Sequence, residues 1–505
     1  MKFNGERERY SMGKYVTLIE VGQKQSYIFA SNRLAENLGA SIIIRQVTER
    51  DPEVFYKEET PQVIYEGGGK ALYVFRTPEK GIAFAKKYSR FVLETYPGLL
   101  LYIVGCEVRD EESVKEGLDR CYRLLEKKKT AGFSMHRRMI DYGGSLRCAE
   151  TNLPAVSHRA KELPEDRREK PISAESLAKY RRRLDQTEYF RDILPPGWQF
   201  PLRMDQLGGT LDEKNYIAVV HIDGNRMRDK IASFNRSMER RSGETGEAFD
   251  RRYIQGQGSL SREIDEKYRG AFLKLNQRLA KIWECLREDL DMEEGVLPIR
   301  PLILAGDDIC YVTDGRIALE TARIFLEYIQ QENVQGLPLN ACAGVAVVKA
   351  HFPFSRAYQL AEELCRNAKN QIPEGTDASW LDWHVDQGEL QDSLQEVREQ
   401  YTAEDGSVLT QKPYSVEASS PGGTIQNFLH VLEALGGKTV ARSKVLGLRE
   451  VMHQGKAAVR YALQSNRMLD QIRKLGWSEE TEQRDSLYDA MEMMDLYISL
   501  EEKKK

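Results

Sequence analysis

Apolar residues along the chain fall into two patterns. Short, mostly apolar runs such as "YVTLIEV" (15–21) and "YIAVVHI" (216–222) predict buried strands. Longer stretches with apolar residues three and four apart, such as "GIAFAKKYSRFVLETYP" (81–97), predict amphipathic helices. In order, the first part reads as strand 15–21, helix 25–39, hairpin "QVIYEGGGKALYVF" (62–75), helix 81–97 and strand "GLLLYIVGCEV" (98–108). That is the βαββαβ order of a ferredoxin-like fold. The order returns: strand 216–222, helix "FLKLNQRLAKIWECLRE" (272–288), hairpin "RPLILAGDDICYVT" (300–313), helix 315–331, strand "PLNACAGVAVV" (338–348), helix 354–370 and a closing strand "SWLDWHV" (379–385). The expectation is an α+β protein with two ferredoxin-like domains, duplicated in fold with little residue identity between the copies.

Polar stretches set the boundaries. Residues 126–212 read as a linker, with the charge-dense "RAKELPEDRREKPISAESLAKYRRRLD" interleaving acids and bases. A solvated linker helix is the expectation there, and nucleic-acid contact the alternative. Residues 235–261, polar and glycine-bearing, read as a mobile insertion after the first strand of the second copy. The tail beyond 412 carries Leu, Val and Met at helical spacing. The division is 1–125, a first domain; 126–212, a linker; 213–395, a second domain; and 396–505, a small helical domain.

Composition narrows the class. With 505 residues the chain is too long for one core, and 41% hydrophobic with 30% charged residues fits a water-soluble globular protein. No apolar run approaches membrane-spanning length and no signal peptide is visible, so a cytoplasmic location is expected. Seven scattered cysteines without a C-x-x-C argue against a disulfide framework and a cysteine zinc site. A net charge of −4 argues against constitutive nucleic-acid binding, though local basic patches leave that open.

The candidate chemistry lies in the second copy. Asp223 ends its first strand, and Asp307 and Asp308 sit at the tip of its hairpin. The first strand of a βαββαβ sheet lies beside that hairpin, so the three carboxylates are expected to converge. Adjacent carboxylates between apolar runs repel and are costly to bury, and a divalent cation removes that cost. Gly306, with the small Ala305, lets backbone approach a bulky ligand such as a triphosphate. Magnesium suits oxygen ligands shared with phosphates. Asn225 and Arg228 in "DGNRMR" and Lys369 near the end of helix 354–370 are candidates for holding phosphate. An ordinary Gly-Asp-Asp turn is the competing explanation. His221, Trp380 and Trp383 read as packing residues.

At these residues the sequence resembles a known family. "IAVVHIDGNRM", "LAGDDICYV", "AGVAVVKAHFPFSRAYQLAEELCRNAKN" and "QKPYSV", in that order, are similar to the palm region of the large polymerase/cyclase subunit of type III CRISPR effector complexes. They resemble GGDEF-type nucleotide cyclases more distantly. "VGQKQSYIFASNRLAENLGAS" and "YEGGGKALYVF" resemble that subunit's first, degenerate palm. The resemblance implies a catalytic palm at 213–395 and a degenerate palm at 1–125. It implies Asp223, Ile222, Asp307 and Asp308 as the metal set for Mg²⁺ or Mn²⁺, with Asp223, Asp307 and Asp308 catalytic. Asn225, Arg228, Gly306 and Lys369 would position a nucleoside triphosphate, and Gly68 and Gly69 an acceptor nucleotide. The products would be cyclic oligoadenylates made from ATP, used in antiphage defence. Ala305 departs from the usual Gly-Gly-Asp-Asp, and Arg226 and Arg228 fall where small residues are common. The absence of a His-Asp dipeptide and of a cysteine quartet implies a relative without the nuclease domain and zinc module.

Three functions are open at this stage: a two-metal nucleotidyltransferase making a cyclic or short oligonucleotide; a non-catalytic nucleotide-binding or scaffold subunit beside CRISPR-type partner proteins; and a palm-type polymerase extending RNA or DNA.

Overall fold

The computed structural model describes residues 15–501 apart from 57–59, 110–111, 132–143, 158–162, 164–169, 184–185, 204–205, 208–214, 387–392, 418–422, 437–440 and 466–485. Of the charge-dense linker stretch, 159–162, 164–169 and 184–185 lie outside the described residues; the helix expected there is present at Ala174–Arg182, but its Glu175, Ser176, Lys179 and Tyr180 are buried, so it packs against the unit instead of standing in solvent. The chain forms two compact units, residues 1–190 with 228–266, and residues 191–227 with 267–505.

In the first unit, β1 (Tyr15–Gly22), α1 (Leu34–Glu49), β2 (Gln62–Gly67), β3 (Lys70–Phe75), α2 (Pro78–Thr95) and β4 (Leu100–Glu107) follow the expected order. They build a four-stranded antiparallel sheet, β2-β3-β1-β4. β1 is central, and all its residues after Tyr15 are buried, which is why its sequence is mostly apolar, interrupted by Thr17 and Glu20. The expected helix 25–39 is instead a short turn of helix, Lys24–Ile28, followed by bends and then α1, which runs on to Glu49.

The first unit also holds helices that were not foreseen. α3 (Val114–Thr130) follows β4 and starts in a capping box between Ser113 and Glu116. Its Val114, Leu118, Cys121 and Leu125 form one buried stripe over β1 and β4. The segment expected to be a mobile insertion is largely helical: α4 (Met227–Ser237) and α5 (Gly246–Lys281). The physical reason is apolar spacing that the glycines hide. Tyr253 and Ile254 of α5 join the stripe of α3 in one hydrophobic cluster. Tyr253→Ala should lower the stability of this unit by about 3–5 kcal/mol, as for other buried aromatic truncations; a change under about 0.5 kcal/mol in urea unfolding would show that the insertion does not pack.

In the second unit, β5 (Tyr216–Gly224), β6 (Ile299–Ala305), β7 (Asp308–Asp314), α6 (Ala318–Gln330), β8 (Ala341–Lys349) and α7 (Phe354–Asn370) repeat the plan. The sheet order is β8-β5-β7-β6, continued past β8 by β9 (Trp380–Val385), parallel to it, and β10 (Tyr414–Ser415). β9 is buried along its whole length, and Trp383 stacks on Tyr414 at 5.2 Å, so both tryptophan-bearing turns of the alternation serve packing. Beyond β10 the described chain is helical, including α8 (Ile425–Gly436) and α9 (Ser486–Met493). The architecture is thus two ferredoxin-like palms and a helical tail. No helix among the described residues is long and apolar enough to cross a membrane.

Candidate active site

Strand register brings the separated acids together. β5 and β7 are antiparallel with Asp223 directly opposite Asp308, and Gly224 N–H donates to the Asp307 carbonyl at 3.2 Å. Residues facing each other across such a ladder present side chains on the same face. Gly306, at φ +66°, opens the two-residue turn between Ala305 and Asp308. The side chains of Asp223 and Asp308 are 42% and 26% exposed, so a ligand can reach them from solvent.

Lys369 arrives from the last turn of α7. The helix lies unusually close to β8: a Cβ on Gly344 would sit 2.0 Å from the Ala361 carbonyl oxygen. Lys369 Nζ donates to Asp223 Oδ2 at 2.5 Å and to the Gly224 carbonyl at 2.9 Å. Burial lowers the affinity of Lys369 for its proton, but Asp223 and neighbouring thiols outweigh this and hold it above the ordinary lysine range. A lysine thus neutralises one of the three acids.

Asp307 and Asp308 are less well compensated. Burial first, then the charges of Asp223 and Asp308, push the Asp307 carboxyl up to about 7, and Lys369 offsets this only in part. Asp308 Oδ1 is buried without a hydrogen bond, with His221 Nδ1 at 3.8 Å. His221 is otherwise packed edge-on to Tyr358. Tyr268, which sequence reasoning did not single out, brings a buried hydroxyl to the same place: a Cβ on Gly224 would lie 2.7 Å from it and 2.7 Å from Asp307 Cβ. Its position in "DEKYRGAF" gives no signal, because an amphipathic helix displays many such tyrosines.

The remaining candidates are placed as follows. Asn225 is buried and donates to the Ala378 carbonyl at 2.8 Å, tying the end of β5 to the segment before β9. Ile222 is wholly buried between Ile309 and Ala343 in the ladder, so only its backbone can meet a cation. Arg228 is exposed in the first turn of α4, and Arg226 is exposed at φ +53°. Gly68 and Gly69 form the β2–β3 turn of the first unit, at φ +58° and +79°. Among the described residues, no three His, Cys, Asp or Glu side chains stand arranged to hold a metal ion. The donor set nevertheless fits a hard divalent cation: oxygen-only ligands, an acid raised by its neighbours, and a buried carboxylate oxygen without a donor.

Two outcomes follow from this packing. Gly224→Ala forces its methyl against Asp307 and Tyr268, and should displace the hairpin tip at a cost of about 1–3 kcal/mol; thermal unfolding equal to wild type would refute the close approach. The Asp307 carboxyl, raised in the folded protein from 3.8 to about 7, contributes stability that is present below about 4 and lost as pH rises through about 7. Asp307→Asn should therefore raise the metal-free melting temperature at pH 8, by roughly 4–8 °C for about 2 kcal/mol, and leave it little changed at pH 4. A lower melting temperature at pH 8 would contradict the crowding of acids.

The fold and this acid-bearing hairpin define a duplicated palm protein. Solved structures carry the same architecture. A Csm1–Csm4 cassette in complex with cA4 matches with a TM-score of 0.55 and 14% identity over 95% of this chain and 69% of that one. A Csm1–Csm4 cassette in complex with one ATP matches with a TM-score of 0.52 and 13% identity over 97% and 70%. The apo cassette matches with a TM-score of 0.50 and 13% identity over 98% and 72%. The chain therefore has the fold of Csm1, the large-subunit fold of type III CRISPR complexes. No family model and no curated protein matches the sequence.

Proposed function

We propose that the chain is a nucleotidyltransferase of the cyclase type. It joins nucleoside triphosphates, ATP foremost, into cyclic or short oligonucleotides that act as second messengers in antiphage defence. The register that sets Asp223 opposite Asp308, with Lys369 at the same sheet edge, is the observation that carries this reading. The likeness to Csm1 structures holding cA4 and ATP supports it.

Asp223, Asp307 and Asp308, with the Ile222 backbone, are the residues that would hold Mg²⁺ or Mn²⁺. When bound, such an ion neutralises phosphate charge and makes a 3′-hydroxyl a better nucleophile toward an α-phosphate, with pyrophosphate as leaving group. Lys369 exchanges Asp223 for the triphosphate as the nucleotide enters. Gly306 leaves room for the phosphates beside the turn, and Asn225 fixes the strand end that carries Asp223. Arg228 supplies a further cation to the triphosphate, and Gly68 and Gly69 admit the acceptor nucleotide. The protein works in the cytoplasm beside CRISPR-type partners.

Purified protein given Mg²⁺ or Mn²⁺ and labelled ATP should release pyrophosphate and form a phosphatase-resistant product. A second reading, nucleotide binding without turnover, is favoured by Lys369 sitting on Asp223. Saturable ATP binding with no product under any metal would establish it instead.

A further inference from the structure

The two palms can be laid on each other by hydrogen-bond register alone. Val21 N–H donates to the Gly69 carbonyl at 2.8 Å, as Gly224 N–H does to that of Asp307. Glu20 faces Lys70, as Asp223 faces Asp308. Gly69 thus stands where the second palm has Asp307, and Lys70 where it has Asp308. Both strand-end acids survive, and each meets a lysine from the last turn of the helix after the fourth strand. Lys129 Nζ lies 2.7 Å from Glu20 Oε1, as Lys369 Nζ lies 2.5 Å from Asp223 Oδ2. Both palms thus carry an acid–lysine pair at the strand end, while their hairpin tips differ.

That difference inverts the charge. The second palm gathers three acids around one lysine. The first sets Lys70 and Lys129 against one acid, with Lys24 on the neighbouring hairpin carbonyl. Lys70 Nζ approaches Glu20 Oε2 at 3.3 Å, and Lys24 Nζ donates to the Gly68 carbonyl at 2.8 Å. The Glu20 side chain is 11% exposed, while those of Lys70 and Lys129 are 40% and 31% exposed, so the cations face outward over a buried anion. Glu126 also meets Lys129, but on an exposed surface where such a pair is weak. The turn beneath is Gly67-Gly68-Gly69, all at positive φ, and the absence of side chains on it lets the Lys24 stem lie against Gly69, where a Cβ would sit 2.7 Å from Lys24 Cδ.

We propose that Glu20, Lys24, Lys70 and Lys129 form a phosphate-binding site that works without a divalent cation, lysine ammonium groups standing where the second palm would use metal. This rests on the palm reading above and specifies its first half: the ligand is the polyphosphate of a nucleotide, held by charge-assisted contacts. Glu20 keeps the lysines gathered until phosphate displaces it.

The test is equilibrium binding of labelled ATP to the full chain in excess EDTA, with inorganic tripolyphosphate as competitor. The expected result is saturable, salt-sensitive binding that weakens at least ~10-fold in Lys129→Met and in Lys70→Met. Lys129→Arg, which keeps the charge, should hold most of the affinity, and Glu20→Gln should tighten it several-fold. Absence of saturable binding in EDTA overturns the proposal. So does binding indifferent to both methionine variants when circular dichroism shows them folded. Product formation with Mg²⁺ is read separately, so a failed cyclase reading and a failed phosphate site are distinguishable.

Discussion

Alanine at Asp308 is expected to lower oligonucleotide formation by roughly 10²–10³-fold or more, and alanine at Asp307 by a similar factor. The magnitude follows from several kcal/mol of transition-state charge stabilisation lost with a metal ligand. Neither change should destabilise the metal-free protein, because each removes a carboxylate that its neighbours crowd. The pairing of lost turnover with undiminished melting temperature separates this account from a structural Gly-Asp-Asp turn. In a structural turn, alanine would lower stability and touch activity only through it. Product formation undiminished in both variants would take these residues out of the mechanism.

The second large effect concerns a buried charge network outside the acid cluster. Lys412 is fully buried, with Nζ 2.7 Å from Glu492, 3.7 Å from Asp489 and 3.1 Å from the Tyr401 hydroxyl. Tyr401 donates to Glu492 at 2.6 Å and Tyr414 to Asp489 at 2.7 Å. This network fastens α9 to the segment around β9 and β10. Lys412→Met strands two acids in the core and should cost about 3–5 kcal/mol. Replacing all three charges together, with Glu492→Gln and Asp489→Asn, should recover part of the loss, since the penalty belongs to the unpaired charges. Denaturant unfolding of the single variant within about 0.5 kcal/mol of wild type would show that the network does not anchor the tail.

How much of this was legible in the sequence depended on where the partner of each residue lay. The central strands announced themselves as apolar runs, so the sheet order, and with it the meeting of Asp223 and Asp308, could be read in advance. Lys369 was legible because the topology returns its helix to the same edge. Lys129 was not: "EKKK" reads as the start of a polar linker, and only the packed stripe Val114–Leu125 makes it the end of a helix. Glu20 was hidden inside "TLIEV", where a single acid looks like an edge residue. Gly256 and Gly258 masked the long helix α5 because glycine weakens local helix preference, and burial of Tyr253 and Ile254 overrides it. The Lys412 network was unreadable because its acids lie some 80 positions away.

The central claim is that acids on β5 and on the β6–β7 turn grip cations that carry a nucleotide's phosphates. The most direct measurement is anomalous scattering from crystals soaked with Mn²⁺ and a non-hydrolysable ATP analogue. The expected result is a manganese peak beside Asp223 and Asp308, with Lys369 no longer seated on Asp223. Lys369 still seated on Asp223, with no peak at the turn while the analogue is bound elsewhere, would contradict it.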